Sequence, residues 1–332
     1  MTSDLRSPAH VHLAELLSVL PIVRAAVPPT PQYAWPLLRS RVGAQVVVKH
    51  ENHTPIGAFK VRGGLVYFDR LKRERPHVAG VITATRGNHG QSFAFAGAQA
   101  NVPVAIVVPR GNSTEKNAAM RAFGAELIEH GRDFDEAKAR AIELAQARGF
   151  EFGPSFHRDL VVGVATYAYE LFSACTDLDT VYVPIGLGSG ICGLIGVRDA
   201  LGLTTRIVGV VSERANAYRL SLEAGRVVPT NSALTFADGV AVRAPDAAAL
   251  EIIRRGAERI VEVSDAEIAE AIRILFSDTH TLAEGAGAAA LAALMRERGH
   301  PAGRRVGVIV TGHNIDRSWM QAVLAGGTPR VE

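Results

Sequence analysis

From residue 44 onward, short runs of β-branched and other apolar residues alternate with longer stretches that carry apolar positions at helical spacing or are rich in alanine. That rhythm belongs to a parallel sheet wrapped in helices. The apolar runs predict strands over Gln45–Lys49, Gly80–Thr83, Val104–Val108, Glu126–Glu129, Thr180–Pro184, Arg206–Val211, Arg259–Glu262 and Arg305–Val310. Near-continuous apolar runs such as Val181-Tyr182-Val183-Pro184-Ile185 suit a sheet covered on both faces. Between the strands, helices are predicted from Phe59 to Arg73 and over Ser92–Ala100. Asn112 with Glu115 three residues on reads as a capping box for a helix reaching Phe123, and Ser264 with Asp265 caps a helix running toward Ser277. The Pro-rich stretch Val27–Pro31 reads as a loop. The fold class is α/β, doubly wound, and the absence of obvious linkers favours two lobes sharing one continuous chain.

Composition narrows the function. With 48% hydrophobic and 21% charged residues over 332 positions, the chain can bury a core large enough to offset the entropy of ordering it, which excludes disorder. Thirty-six Lys and Arg against 33 Asp and Glu leave +3, far from the charge density of a nucleic-acid binder. Small anionic ligands are the expected partners, with neither nucleic acid nor membrane. Two cysteines, Cys175 and Cys192, build neither a disulfide framework nor a cysteine-rich zinc site, which fits a reducing cytoplasm. Met1–Arg6 opens without the apolar core of a signal peptide, and no apolar run is long enough to span a bilayer.

Three segments, each at a strand-to-helix corner, carry candidate chemistry. In the first, His50-Glu51-Asn52-His53-Thr54-Pro55-Ile56-Gly57-Ala58-Phe59-Lys60, a Pro/Gly turn leads into a helix with Lys60 in its opening turn. A partly desolvated lysine there can have its pKa lowered enough to act as nucleophile or base; taken alone, it also fits a solvated or salt-bridged lysine. His50 and His53 lack a nearby third ligand and read as loop residues rather than a metal site. In the second, Thr85-Arg86-Gly87-Asn88-His89-Gly90-Gln91, small residues leave backbone amides at a helix start free to face a carboxylate or phosphate. An ordinary glycine turn with His89 packed in the core fits the same letters. The third, Gly186-Leu187-Gly188-Ser189-Gly190-Ile191-Cys192-Gly193, lets several amides converge on a phosphate. It also resembles a dinucleotide pattern, although the glycine order differs and it lies past mid-chain.

In this order, the three segments resemble the fold type II pyridoxal-phosphate enzymes, most closely the threonine dehydratase and serine racemase branch. Four further matches are Gly163-x-x-Thr166-x-x-x-Glu170 at a helix start, Ala237-Asp238-Gly239-Val240-Ala241-Val242, Ala283-Glu284-Gly285-Ala286-Gly287-Ala288 and Val310-Thr311-Gly312-His313-Asn314. The resemblance extends from about Thr30 to Asn314 and implies the short form, without a C-terminal regulatory domain. It implies two open, twisted, mostly parallel sheets flanked by helices, as in the tryptophan synthase β-like fold. A large cofactor-binding domain would comprise 1–64 and 157–332, and a small substrate-closing domain 65–156. The implied cofactor is pyridoxal 5'-phosphate, in Schiff-base linkage to Lys60, with Phe59 packing on its ring and Asn88 at its ring hydroxyl. Gly186, Gly188, Ser189 and Gly190 would cradle the phosphate, and Thr311 would face the pyridine nitrogen. A neutral hydroxyl there favours elimination over transamination. Thr85, Arg86, Gly87, Asn88, His89 and Gln91 would clamp the substrate carboxylate, with Glu284 lining the same pocket. The implied activity is dehydration and deamination of a β-hydroxy amino acid to a 2-oxo acid and ammonia, by a homodimer. The alternatives are a 3-hydroxyaspartate dehydratase, an amino-acid racemase or β-replacement enzyme of the same fold, and a binding protein that retains the fold without activity.

Departures from the family pattern sharpen these expectations. Arg86 stands where the racemase branch has a serine that acts as the opposite-face acid, and a guanidinium cannot shuttle a proton. An unpaired buried guanidinium is costly, so Arg86 is expected to pair, either with Glu284 as a structural strut or with a carboxylate on the substrate side chain. The segment Tyr33–Trp35 and Phe93 suggest an uncharged pocket and so favour the strut. Glu213 matches one acidic metal ligand of the racemase branch, but Arg219 replaces the second; the expectation is no metal, with Arg219 bridging to Glu213 instead.

Overall fold

A computed structural model describes residues 11–298 and 303–331, so the leader reading of Met1–Arg6 lies outside the described residues. Its strands are β1 (Gln32–Ala34), β2 (Gln45–His50), β3 (Val81–Ala84), β4 (Val104–Val108), β5 (Glu126–Glu129), β6 (Glu151–Phe152), β7 (Thr180–Pro184), β8 (Arg206–Ser212), β9 (Arg259–Val263) and β10 (Arg305–Val310). Six of them form one sheet in the order β1-β2-β10-β7-β8-β9, parallel except for the antiparallel edge strand β1. The other four form a second, fully parallel sheet in the order β5-β4-β3-β6. The two-sheet α/β fold is therefore present, and all eight predicted strands occur within one residue of their expected ends. The two unpredicted strands are the shortest. β1 follows a Pro-rich loop and β6 has two residues, too few for any periodicity to register.

Each sheet is covered on both faces, as its apolar strands require. In β2, Val46 and Val48 enter one core with α11 (Asp265–Thr279) and α12 (Gly285–Arg296), whereas Val47 enters the opposite core with α7 (Arg158–Ala174) and α8 (Ser189–Ala200). α3 (Lys60–Glu74) and α4 (Asn88–Gln99) cover one face of the small sheet, and α6 (Phe134–Arg148) covers the other. α11 starts with the expected capping box, Ser264 receiving the amide of Glu267 while Glu267 receives that of Ser264. The expected box at Asn112 is displaced by one residue. Ser113 caps α5 (Thr114–Ala122) by accepting the Lys116 amide, and Asn112 instead bonds the Asn117 side chain.

A second correction concerns Gly163, Thr166 and Glu170, which lie in the middle of α7 rather than at a helix start. Gly163 lets α7 approach α3 so closely that a Cβ on it would collide with the Arg62 carbonyl. Thr166 and Glu170 then enter a fully buried ionic cluster. Arg62 Nε reaches Glu51 Oε2 at 2.8 Å and Arg62 Nη1 reaches Glu170 Oε1 at 2.7 Å, while Lys49 Nζ lies 2.6 Å from Glu170 Oε2. Thr166 Oγ1 accepts from Arg62 at 3.1 Å, and the Thr30 carbonyl accepts from Lys49 at 3.0 Å. Two cations face two anions. Burial would lower the Arg62 pKa and raise that of Glu170, yet the opposite charges prevail and shift each toward its ionised form.

Candidate active site

Ligands of open α/β sheets gather beyond the carboxyl ends of the strands, and the candidate segments follow the ends of β2, β7, β10 and β3. β2, β10 and β7 are neighbours in the large sheet, which brings the Lys60 turn, the Gly186–Gly190 loop and Thr311 to one edge of the cleft. The turn before α3 is stitched to the segment after β10. Phe59 donates its amide to the Thr311 carbonyl at 3.0 Å, Ala58 bridges Gly312, and His313 donates its amide to the Gly57 carbonyl at 3.0 Å. Gly57 has φ +70°, and a Cβ there would sit 2.5 Å from the His313 ring, so this stitch requires glycine.

Lys60 thereby enters the cleft from the first turn of α3, half-buried, with Nζ 5.0 Å from the Phe59 ring centroid. Its amine makes no hydrogen bond or ion pair among the described residues, and its carbonyl accepts from the Ser92 hydroxyl at 2.7 Å. Burial pushes its amine down to about 8, against the opposing pull of Glu284. An amine with that pKa supplies free base near neutral pH and suits covalent attachment to a carbonyl. Glu284, only 3% exposed, precedes α12 and accepts from Asn88 Nδ2 at 2.7 Å, while its second oxygen is buried with no partner. Asn314 completes the chain by donating to Asn88 Oδ1 at 2.8 Å and to the Ile56 carbonyl at 2.8 Å. Burial, reinforced by Asp238, pushes the Glu284 carboxyl up to about 7, with Lys116, the Asn88 hydrogen bond and Lys60 pulling it back.

The glycine loop between β7 and α8 has the shape of an anion cradle. Gly188 has φ +104°, and a Cβ there would lie 2.8 Å from Ala249 Cβ; one on Gly186 would lie 2.5 Å from the Gly239 carbonyl oxygen. Ser189 opens α8, and no side chain caps the helix, which leaves its first amides for a ligand. A Cβ on Gly190 would lie 3.6 Å from the Phe59 ring, so the cradle and the Lys60 amine flank the same aromatic face. Thr311 is buried, follows β10 directly and caps no helix; its hydroxyl makes no hydrogen bond among the described residues. A phosphate-bearing pyridine aldehyde fits this set: an amine for the carbonyl, amides for the phosphate, a ring to pack on and a hydroxyl opposite.

On the small-sheet side, Thr85 accepts the Gly87 amide at 3.0 Å and Gln91 is buried. His89 packs on Phe93 at 4.3 Å between ring centroids, and its Nε2 lies 3.2 Å from Thr83 Oγ1. Burial, assisted by the charge of Lys60, pushes His89 down to about 3 and keeps it neutral. Phe93 is fully buried among Tyr67, Phe68 and His89 and so lines no open pocket, while Trp35, half-buried, donates to His50 Nε2 at 3.1 Å. Arg86 is the one exposed residue from Val81 to Gly97, and it has no hydrogen-bond or ion-pair partner among the described residues. The expected strut is absent: Glu284 is buried and accepts from Asn88 on one oxygen, whereas the Arg86 side chain is exposed and does not reach its unpartnered second oxygen. Nor does Arg219 bridge to Glu213; it pairs with Glu223 at 2.7 Å and Glu262 at 3.0 Å.

Two residues in this corner had no role in the sequence reading. Lys116 Nζ, buried in α5, pairs with Asp238, and its stem lies 3.1 Å from where a Gly87 Cβ would be. Asp238 sits in a motif the sequence singled out, but no local pattern marks Lys116.

The comparisons with known proteins agree with this geometry. The family model described as pyridoxal-phosphate dependent enzyme matches residues 23–312. The biosynthetic L-threonine dehydratase of Salmonella typhimurium is 35% identical over 290 residues, 86% of this chain and 56% of that protein, so the chain spans little more than half its length. The L-threo-3-hydroxyaspartate ammonia-lyase of Saccharomyces cerevisiae is 30% identical over 305 residues, 92% of this chain and 93% of that protein. A crystal structure of a pyridoxal 5'-phosphate-dependent aspartate racemase superposes with a TM-score of 0.87 at 28% identity, covering 93% of this chain and 98% of the other. Matched over residues 23–312, and with Lys60, the Thr85–Gln91 loop and the Gly186–Gly190 loop in the family's order, this chain belongs to the fold type II pyridoxal-phosphate enzymes, in the threonine dehydratase and serine racemase branch.

Proposed function

We propose that the protein is an ammonia-lyase that converts a β-hydroxy amino acid into a 2-oxo acid and ammonia. The observation that carries this reading is the half-buried Lys60, its pKa lowered to about 8, set between a glycine cradle and the Thr85–Gln91 loop. Pyridoxal phosphate, when bound, supplies an electron sink for the carbanion formed at Cα. Lys60 would hold the cofactor covalently, and its amine, once free, would be the base placed to take the Cα proton. The β-hydroxyl departs as water, and hydrolysis of the resulting enamine returns one water and releases ammonia and the 2-oxo acid. The amides at the start of α4, with Thr85 and Gln91, hold the α-carboxylate. Asn88, braced by Glu284 and Asn314, would hold the ring hydroxyl, and Thr311 would meet the ring nitrogen with a neutral hydroxyl that does not keep it protonated. A guanidinium stays protonated near neutral pH, so Arg86 cannot give and take a proton on the opposite face, which supports elimination over racemisation.

The reading is tested by 2-oxo-acid release from L-threonine, L-serine, L-threo-phenylserine and L-threo-3-hydroxyaspartate, with chiral analysis of recovered substrate. Release from at least one, without racemised substrate, is the expected result. No release from any, or faster racemisation than elimination, rejects it.

The small lobe, 65–156, is proposed to close on the substrate. Contacts that support this cross the mouth of the cleft: Lys116 with Asp238, Ser113 with Asp316, and Arg243 with Asp133 and Asp135. Structures with and without a substrate analogue should differ by rigid rotation of that lobe. Coincident superposition of both lobes counts against closure.

A further inference from the structure

We infer that Arg86 is a specificity-determining residue that receives a second carboxylate on the substrate side chain, so that the preferred substrate is a β-hydroxy amino dicarboxylic acid of the 3-hydroxyaspartate class. The inference rests on the ammonia-lyase reading and names the substrate within it.

The argument starts from placement. β3 is an interior strand of the small sheet, and every residue from Val81 to Gly97 except Arg86 is buried or half-buried. A single exposed side chain on so enclosed a segment has to reach a solvent-filled space, and the space beyond the carboxyl end of an interior strand is the ligand cleft. The neighbours agree: Gly87 abuts Lys116, Asn88 bonds Glu284, and both lead into α4. Arg86 therefore extends from the loop that holds the α-carboxylate, within a side chain's length of the bound amino acid.

The second step is charge. The acids at this corner are already engaged, Asp238 by Lys116 and Glu284 by Asn88. The free oxygen of Glu284 is buried, whereas Arg86 is exposed and makes no ion pair among the described residues. With Lys60 taken up by the cofactor and Lys116 matched by Asp238, Arg86 is the cation left over at this corner, so a substrate with a second carboxylate gains a charge partner that a monoanion lacks. An arginine is the side chain best shaped for a carboxylate, because its planar fork offers two parallel N–H donors. The features that suggested an uncharged pocket are used elsewhere: Phe93 is core, and Trp35 is bonded to His50.

The test measures kcat/KM for L-threo-3-hydroxyaspartate and for L-threonine in the wild type, Arg86→Met and Arg86→Lys, with both substrates assayed by 2-oxo-acid release. The wild type should prefer hydroxyaspartate. The ratio of the two values should fall thirtyfold or more in Arg86→Met, an order-of-magnitude expectation of roughly one lost bidentate charged contact, and less in Arg86→Lys. A second readout avoids hydroxyaspartate altogether: succinate should inhibit threonine turnover at lower concentration than butyrate, and Arg86→Met should erase that difference. A ratio that stays within threefold, a wild type that prefers threonine, or equal inhibition by succinate and butyrate overturns the inference while leaving the lyase reading intact. Absence of release from every β-hydroxy amino acid would instead reject the lyase reading itself.

Discussion

Lys60→Ala should abolish turnover, lowering kcat by about four orders of magnitude or more, because one substitution removes both the covalent anchor and the Cα base. The variant should still fold. The Lys60 amine makes no hydrogen bond or ion pair among the described residues, and burial already disfavours its charged form. Its melting temperature without cofactor is therefore expected to equal or exceed that of the wild type. Borohydride reduction of the wild type loaded with pyridoxal phosphate, followed by peptide mapping, should place the label on Lys60. A label on another lysine, or substantial turnover by Lys60→Ala, would remove the basis of the proposed chemistry.

The largest loss of stability should come from Arg62→Met. Arg62 lies two residues from the reactive lysine and is fully buried between Glu51 and Glu170. Its removal leaves two carboxylates and one lysine in a dry site, and breaking a buried ion pair from one side costs about 3–5 kcal/mol. For a chain of this size that is a fall of roughly 4–7 °C in Tm. The pH dependence gives the sign. In the wild type the ion pairs hold Glu170 below its ordinary value, so this stabilisation is present above that value and is lost as pH falls through the acid range. In the variant the abandoned carboxyls should titrate above their unfolded value, so the native state keeps protons that the unfolded state releases. The deficit relative to wild type should therefore grow from pH 5.5 to pH 8. Thermal unfolding of the apo-proteins at the two pH values measures it, and a Tm within 2 °C of wild type at both would show that the cluster contributes little.

The fold was legible because its strands are buried on both sides. β7 and β8 needed no alternation to be seen, since their apolar runs are bounded by turns. β1 and β6 escaped because each is an edge strand with few residues, held by one neighbour rather than by its own composition. Lys60 and the Gly186–Gly190 loop stood out in the sequence because each lies where a strand gives way to a helix, whereas Thr311 came only with the family resemblance; the structure brings the three to one edge of the cleft. What escaped depends on pairing across the cleft. The Glu284–Asn88 bond spans 196 residues and the Lys116–Asp238 pair spans 122, and no local pattern encodes which of two nearby polar groups a side chain selects. Arg86 was misread as a strut for that reason. The sequence shows a cation beside a candidate acid, whereas the structure shows the acid already bonded to the residue two positions later.

The placement of β10 has a consequence for how the protein is made. β10 is the last strand in the chain, yet it lies between β2 and β7, which pair with it and not with each other. Until residues 305–310 emerge during synthesis, the large sheet is two fragments with facing, unsatisfied edges, the arrangement most open to mispairing and aggregation. The small sheet is free of this constraint, since all its strands fall between residues 81 and 152 and can assemble while the rest is being translated. The same late segment continues into Thr311, Gly312 and His313, which hold the turn before Lys60. Joining the two halves of the sheet and setting the turn before Lys60 are thus one long-range folding event, slow by its contact order, and the nascent chain cannot place Lys60 before β10 has joined β2 to β7.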